Sequence, residues 1–140
     1  MASVSNFLYC INVQRVPNPQ GKGESINAIG ITSVLTLDYL PGPFSFSIFF
    51  SLLDVDEGTN RIKVVFKDPN GEEIMNSGDL DIPPLPDDVR NTVPKNFTEY
   101  QLSMDLRNIV LKKEGEYVAE LYYNDSVIAK EPLRVMKKRQ

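Results

Sequence analysis

The stretch that decides the fold is residues 115–136, GEYVAELYYNDSVIAKEPLRVM. Its first half alternates between apolar and polar side chains, which is typical of a half-buried β-strand; the apolar positions are Tyr117, Ala119, Leu121 and Tyr123. The pair Asn124-Asp125 favours a turn, and the apolar residues after it predict a returning strand. The segment therefore predicts a β-hairpin, and the rest of the chain is expected to supply the surfaces that bury it.

Three other segments alternate in the same way and predict further strands: Phe44 to Leu53, Asn60 to Lys67 and Tyr100 to Leu106. The first is the most apolar, because large apolar side chains occupy every second position from 44 to 52. Burying one such side chain is worth roughly 1.5–3 kcal/mol. We therefore expect this strand to form the centre of the core.

Turn residues between the segments complete the fold prediction. Gly30 interrupts an extended stretch and predicts a bulge, or a bend where the chain changes partner or sheet. Residues 107–113 are compatible with a helical turn or with a strand extension. About eight short strands, within a range of seven to nine, predict an all-β protein, a single antiparallel β-sandwich of immunoglobulin-like type. Gly115-x-Tyr117 resembles the tyrosine corner of such folds, in which the hydroxyl bonds back to nearby backbone.

The composition indicates one globular domain spanning residues 1–140. Hydrophobic residues make up 41% of the chain and charged residues 24%, and the net charge of -4 argues against a nucleic-acid partner. No apolar run approaches the roughly 20 residues of a membrane helix, and the N-terminus lacks the basic start of a signal peptide. Cys10 is the only cysteine and is interpreted as a buried thiol in a reducing compartment. We expect a cytoplasmic protein with no membrane partner.

Residues 76–97 form a long connection that is rich in proline and aspartate. A short edge strand is predicted near Asp79 to Ile82, and connections of this length are often functional. The acidic side chains Asp79, Asp81, Asp87 and Asp88 have three interpretations: a patch that attracts a basic partner surface, a solvated loop, or a glycoside-hydrolase pair of carboxylates, for which the loop gives no fixed separation.

The residue types that carry most catalysis are missing. The chain contains no histidine, which removes the usual general base and the commonest transition-metal ligand. We therefore expect no enzymatic activity and no cofactor. Asp54, Asp56 and Asn60 resemble part of a calcium-binding loop, but the spacing departs from that of an EF-hand, and a solvated hairpin loop is the alternative.

Two aromatic residues are predicted to point away from the core. Phe49 and Tyr122 fall on the outer faces of their strands, where each side chain offers a contact surface, although Phe49 is also compatible with packing under a loop. The leading hypothesis is a non-catalytic accessory module that binds another protein, or a second copy of itself, through an edge strand or an exposed loop. The alternative is a domain that binds a small ligand, a carbohydrate or calcium.

Several motifs resemble a group of short bacterial proteins known only as a domain of unknown function. The motifs are Tyr9-Cys10-Ile11-Asn12-Val13, Ile26-Asn27-Ala28-Ile29-Gly30-Ile31, Pro41-x-Pro43-Phe44, Asp68-Pro69-Asn70-Gly71, and the final hairpin from Gly115-x-Tyr117 to Pro132-Leu133-x-Val135. The resemblance implies a small cytoplasmic β-sandwich from bacteria or their phages. It implies no activity and no site residues.

Overall fold

A computed structural model describes residues 2–17 and 24–139. Within these ranges the chain forms eleven strands, one short α-helix and one 3-10 turn. In chain order they are β1 (Ser3–Cys10), β2 (Asn12–Pro17), β3 (Glu24–Ile29), β4 (Val34–Leu37), β5 (Gly42–Leu53), β6 (Asn60–Lys67), β7 (Glu73–Asn76), β8 (Leu80–Ile82), α1 (Asp87–Thr92), the 3-10 turn (Lys95–Phe97), β9 (Glu99–Leu111), β10 (Gly115–Tyr123) and β11 (Ser126–Lys137). The loop that follows β2 lies mostly outside the described residues.

The strands form two facing sheets and a separate hairpin. The first sheet has the order β1-β5-β9, and its pairings are antiparallel. The second has the order β4-β11-β10-β6-β7, with β8 also paired to β6 and with β4 running parallel to β11. β2 and β3 pair only with each other among the described strands. The core lies between the two larger sheets.

The alternation seen in the sequence decides which side chains fill that core. From β5 it takes Phe46, Ile48, Phe50 and Leu52; from β6, Ile62, Val64 and Phe66; and from β10, Tyr117, Ala119, Leu121 and Tyr123. The predicted inward faces of these three strands are therefore confirmed. The final hairpin is confirmed as well, because β10 and β11 pair from Gly115 to Tyr123 and turn at Asn124 and Asp125, whose positive φ angles of 47° and 71° are those of a type I′ turn.

The tyrosine corner identifies the sandwich as immunoglobulin-like. The Tyr117 hydroxyl donates to the Lys113 carbonyl at 2.8 Å, and its ring stacks on Phe66 with 5.7 Å between centroids. With β10 as strand F of that fold, β11 and β6 take the places of strands G and C, and β1, β5 and β9 those of A, B and E. The predicted fold class is confirmed, with eleven strands instead of seven to nine.

A second tyrosine joins the two sheets. The Tyr9 side chain is 2% exposed, and its hydroxyl reaches between β10 and β11. There it donates to the Glu131 carbonyl at 2.6 Å and accepts from the Ala119 N–H at 3.2 Å. Ala119 and Glu131 are opposite each other in the hairpin, so the hydroxyl is inserted into the β10–β11 ladder. Burial raises the pKa of Tyr9 far above its ordinary value of 10.0, which keeps the hydroxyl protonated.

Gly30 marks the place where the chain changes sheet. β3 before it pairs with β2, whereas β4 after it pairs with β11. Its φ angle is 71°, and an added Cβ would lie 2.8 Å from the Ile11 side chain. Of the two predictions for this position, the bend between sheets is the correct one. Residues 107–113 resolve in favour of the strand extension, since β9 continues to Leu111.

Phe49 does not offer the surface predicted for it. The residue lies on the face of β5 away from the core, but only 8% of it is exposed. β2 contacts β5 on this side, and the Arg15 guanidinium donates to the Ser103 hydroxyl at 3.4 Å, directly opposite Phe49 in the β5–β9 register. Phe49 as an exposed contact was therefore wrong, and packing beneath another segment is the correct alternative. The predicted burial of Cys10 is confirmed.

None of the helices in the described part of the chain is long and apolar enough to span a membrane.

Replacement of Tyr9 by Phe should destabilise the fold by about 2 kcal/mol, because the Ala119 N–H and the Glu131 carbonyl lose a buried partner. Urea unfolding of the variant measures this loss. Tyr39→Phe is the control: Tyr39 is 66% exposed, and its replacement should change the unfolding free energy by less than about 0.5 kcal/mol. Equal losses for the two variants would contradict the assigned role of Tyr9.

Replacement of Gly115 by Ala should cost about 1–3 kcal/mol of stability, since its φ angle is 142° and a Cβ would lie 2.7 Å from the Pro69 ring. Gly58→Ala separates the cost of the positive φ angle from the cost of the contact with Pro69. Gly58 also has a positive φ angle, 86°, but no atom lies within 4 Å of its Cβ position. Urea unfolding should show the larger loss for Gly115→Ala. A smaller loss would mean that the contact with Pro69 relaxes freely.

Candidate functional site

An apolar groove of about 500 Å³ opens between the two sheets along β9. Residues 80–86 form one wall, and residues 100–104 of β9 form the other. Phe50 and Ile62 from the core also line it. Among the lining residues only Asp81 and Tyr100 carry titratable side chains.

The groove lies where no strand of the described residues pairs with the outer edge of β9. In an immunoglobulin sandwich the sheet that contains A, B and E also contains strand D, next to E. Here the segment that precedes β9 pairs elsewhere: β8 joins β6 in the opposite sheet, and a proline-rich run follows it. Among the described strands β5 is the only neighbour of β9. The inward side chains of β9 in this region, Leu102 and Met104, are consequently only partly buried.

Of the four predicted acidic residues, Asp81 lines this groove, and the other three lie close to its wall in the sequence. Asp79 lies two residues before Asp81, and Asp87 and Asp88 directly follow Pro86, the last lining residue of that wall. All four are exposed. Asp79 and Asp81 also act on Arg61, whose pKa is raised mainly by its ion pair with Asp125 and further by these two carboxylates. Asp87 and Asp88 occupy the first turn of α1, where the helix dipole favours negative charge.

A smaller cavity of about 120 Å³ adjoins the groove beside the 54–60 loop. Tyr100, Pro84 and Leu85 line both cavities. The Tyr100 hydroxyl donates to the Pro83 carbonyl at 2.8 Å, which ties the start of β9 to the opposite wall. Burial raises the pKa of Tyr100. The tie leaves the groove open along 101–104.

Two of the calcium-like residues in the 54–60 loop, Asp56 and Asn60, have other partners. The Asp56 carboxylate accepts from the Tyr123 hydroxyl at 2.9 Å, which lowers its pKa, and Lys95 lies 3.7 Å away. The Asn60 amide donates to the Asp56 carbonyl at 2.7 Å and accepts from the Asn124 side chain at 2.9 Å. In residues 2–17 and 24–139, no three His, Cys, Asp or Glu side chains converge as metal ligands. These contacts hold the loop to β10, and no geometry favours the calcium hypothesis.

Tyr122 lies on the outer face of the second sheet, within a network of charges. Its hydroxyl donates to the Glu120 carboxylate at 3.4 Å, and the Lys63 ammonium lies 4.5 Å from the centre of its ring. Glu120 is 7% exposed and pairs with Lys67 at 2.9 Å and Lys130 at 3.5 Å. Tyr122 is therefore half-buried on a charged surface. It is not part of the groove.

Residues 15–136 match the model of a family of unknown function, DUF6941. The chain belongs to this family. The expected resemblance to a domain of unknown function is thereby confirmed. No curated protein matches the chain in sequence.

Three solved structures are similar to this chain at low sequence identity. One is the alkylpurine DNA glycosylase AlkC of Pseudomonas fluorescens, bound to DNA containing an abasic site analogue; it matches with a TM-score of 0.52 and 6% identity, over 96% of this chain and 30% of that one. An immunoglobulin-like protein from Pseudomonas aeruginosa matches with a TM-score of 0.46 and 12% identity over 97% of each chain. A glycosyl hydrolase family 2 member from Bacteroides cellulosilyticus matches with a TM-score of 0.44 and 12% identity, over 67% of this chain and 13% of that one. The DUF6941 chain thus spans about 30% of the length of the glycosylase, and the likeness shows the fold alone.

The sequence identified the acidic residue in the groove lining but not the apolar walls. Leu102 and Met104 were expected to point inward. An apolar residue at an alternate position of a strand gives the same pattern whether its side chain contacts the core or lines an open groove. The available signal lay in LDIPPLP, residues 80–86, where apolar residues alternate with prolines inside an otherwise polar connection. The short strand predicted near Asp79 to Ile82 is confirmed as β8, whereas α1 was not expected.

Glu120→Gln should reduce the loss of stability of the protein in acid. The hydrogen bond from Lys67 lowers the pKa of Glu120 below its ordinary value of 4.5, so the ionised carboxylate stabilises the fold above pH 4.5. This contribution is lost as the pH falls through the folded-state pKa. Urea unfolding between pH 7 and pH 3 should therefore give a shallower pH profile for Glu120→Gln than for the natural protein. The exposed neighbour Glu116 provides the control variant, Glu116→Gln, and a similar flattening in both would contradict the prediction.

Proposed function

We propose that this domain is a non-catalytic interaction module that holds an apolar segment of another protein in the groove along β9. The observation that carries the proposal is the groove itself, which exposes core-type side chains beside an unpaired strand edge. Surfaces of this kind are commonly sites of protein–protein contact. Leu80 on the rim is 41% exposed.

The chemistry of the groove favours binding over catalysis. A reaction needs positioned acids, bases or nucleophiles, whereas Asp81 and Tyr100 are the only titratable residues of the lining. The Asp81 side chain is exposed, and the Tyr100 hydroxyl is engaged with the Pro83 carbonyl. These features support a role beside an enzyme or within an assembly, in the bacterial or phage cytoplasm expected from the sequence.

Acidic charge also argues against nucleic acid as the occupant. The glycosylase that shares the fold is bound to DNA, but phosphate binding requires a surplus of Lys and Arg, whereas this chain has a net charge of -4 and carries Asp81 in the groove lining. A protein segment with basic residues fits the same surface without repulsion.

A small apolar ligand is the second candidate. The groove volume of about 500 Å³ lies within the range of small-molecule sites, roughly 300–1,000 Å³. A thermal-shift screen with apolar small molecules distinguishes the candidates, because a true ligand would stabilise the protein and compete with any bound peptide. If peptides bind and no small molecule competes with them, the result favours a protein segment as the occupant.

Leu80→Arg should weaken peptide binding in the groove, since it places a charge on the apolar wall. Peptides enriched from a phage-displayed random library on the natural protein provide the probes, and fluorescence anisotropy measures their affinity. Leu80→Arg should weaken them at least about tenfold. Val127→Arg is a matched control, because Val127 is also 41% exposed but lies at the turn of the final hairpin, and it should keep the natural affinity.

Two outcomes would contradict the proposal: no enrichment of any peptide, or equal binding to the natural protein and Leu80→Arg. Thermal unfolding of both variants verifies that they fold. Sedimentation of the natural protein tests self-association, which Leu80→Arg should also disrupt if the partner is a second copy.

A further inference from the structure

We infer that the occupant of the groove is an extended strand of the partner, which pairs with β9 and takes the place that strand D has in an immunoglobulin sandwich. This inference rests on the proposed function and specifies the form and the charge of the bound segment. Three features of the described residues lead to it: the direction of the groove, the composition of the wall opposite β9, and the acidic charge of the lining and its flanking residues.

The groove runs along the edge of β9. Five consecutive residues of β9, 100–104, line it. The groove therefore borders side chains on both faces of the strand and the backbone edge between them. At about 3.3 Å per residue this length is roughly 17 Å, the span of an ordinary strand. Alternate backbone N–H and C=O groups of an edge strand point away from its neighbour. β5 is the only described strand beside β9, so an added strand finds a row of backbone partners.

The opposite wall cannot supply that strand. It contains Pro83, Pro84 and Pro86, which lack the N–H needed to pair with β9. The bond from Tyr100 to the Pro83 carbonyl ties this wall to the start of β9, and the rest of the groove stays accessible. The chain therefore builds an apolar site next to an edge that its own adjoining segment is unable to cover.

The lining and its flanking residues specify the sequence of the occupant. Every second side chain of an added strand would enter the groove towards Phe50, Leu102 and Met104, which favours large apolar residues there. The alternate side chains would face solvent. Asp81 in the lining, with Asp79 and Asp88 exposed nearby in the sequence, favours Lys or Arg at these outward positions and in the flanks.

A second copy of this chain does not match that description. Its basic run, Lys137-Lys138-Arg139, begins at the last residue of β11. β11 is paired on both sides, by β10 and β4, and is not free to insert as a strand. The inference therefore commits to a segment of a different protein, with alternating apolar residues and basic flanks.

Synthetic peptides test the strand geometry directly. The probes are peptides of about ten residues that alternate Val or Ile with Thr or Lys, compared with scrambled peptides of the same composition. N-methylation then removes the N–H groups of one edge of the peptide at a time. Methylation of the edge that faces β9 should weaken binding at least about tenfold, whereas methylation of the other edge should change it less than about twofold. Hydrogen exchange should show new protection of backbone amides within residues 100–104.

Charge variants test the identity of the flanks. Asp81→Lys should weaken the Lys-containing peptides about three- to tenfold and reduce the salt dependence of binding. Asp38→Lys makes the same charge change at an exposed position that follows β4, the edge strand farthest from β8 in that sheet, and should leave binding unchanged.

The outcomes separate the inference from the function on which it rests. If Leu80→Arg weakens peptide binding but both methylated forms bind equally, the groove binds peptides and strand addition is overturned. If no alternating peptide binds better than its scrambled form and no library peptide is enriched, the proposed function fails as well. A dimer that Leu80→Arg dissociates would replace the foreign segment with a second copy.

Discussion

The Tyr9 hydroxyl is the hydrogen-bonded junction between the two sheets. Its ring lies in the core near Phe46 and Phe66, with centroids 6.0 and 6.4 Å away, and its oxygen bonds to both strands of the final hairpin. β1 is an edge of the first sheet, so this junction closes one side of the sandwich. β9 is the opposite edge. The two sides of the domain therefore differ: one is fastened by a buried hydroxyl, and the other is spanned only near its end by Tyr100.

Local signals account for the parts of the fold that the sequence predicted. The final hairpin, the inward faces of β5 and β6 and the bond from Tyr117 to Lys113 depend on residues close together in the chain or on strict alternation. Alternation specifies a face, but it does not say what covers that face. Phe49 shows this limit, because its outer position was correct and its exposure was wrong: the segment that covers it is distant in sequence.

The same limit explains why only part of the candidate site was predicted. Aspartates in a long connection are visible in any sequence, so Asp79, Asp81, Asp87 and Asp88 were singled out without knowledge of the groove. Leu102 and Met104 carry no such mark, since an apolar residue on an inward face is expected to meet the opposite sheet. They became part of a site only because β8 pairs with β6 and leaves the side of β9 open. Topology, and not residue type, defines this site.

The junction at Tyr9 also determines when the domain can be completed. Its two backbone partners are 110 and 122 residues further along the chain, and the partners of β4 in β11 are 100 residues further along. During synthesis, the N-terminal strand therefore emerges well before the residues that anchor it, and pairing between such distant segments is slow. Until residue 131 has left the ribosome, Tyr9 lacks one of its hydrogen-bond partners and the second sheet lacks most of β11. We expect the nascent chain to depend on chaperones over this interval, with the final assembly of the sandwich as a late and cooperative event.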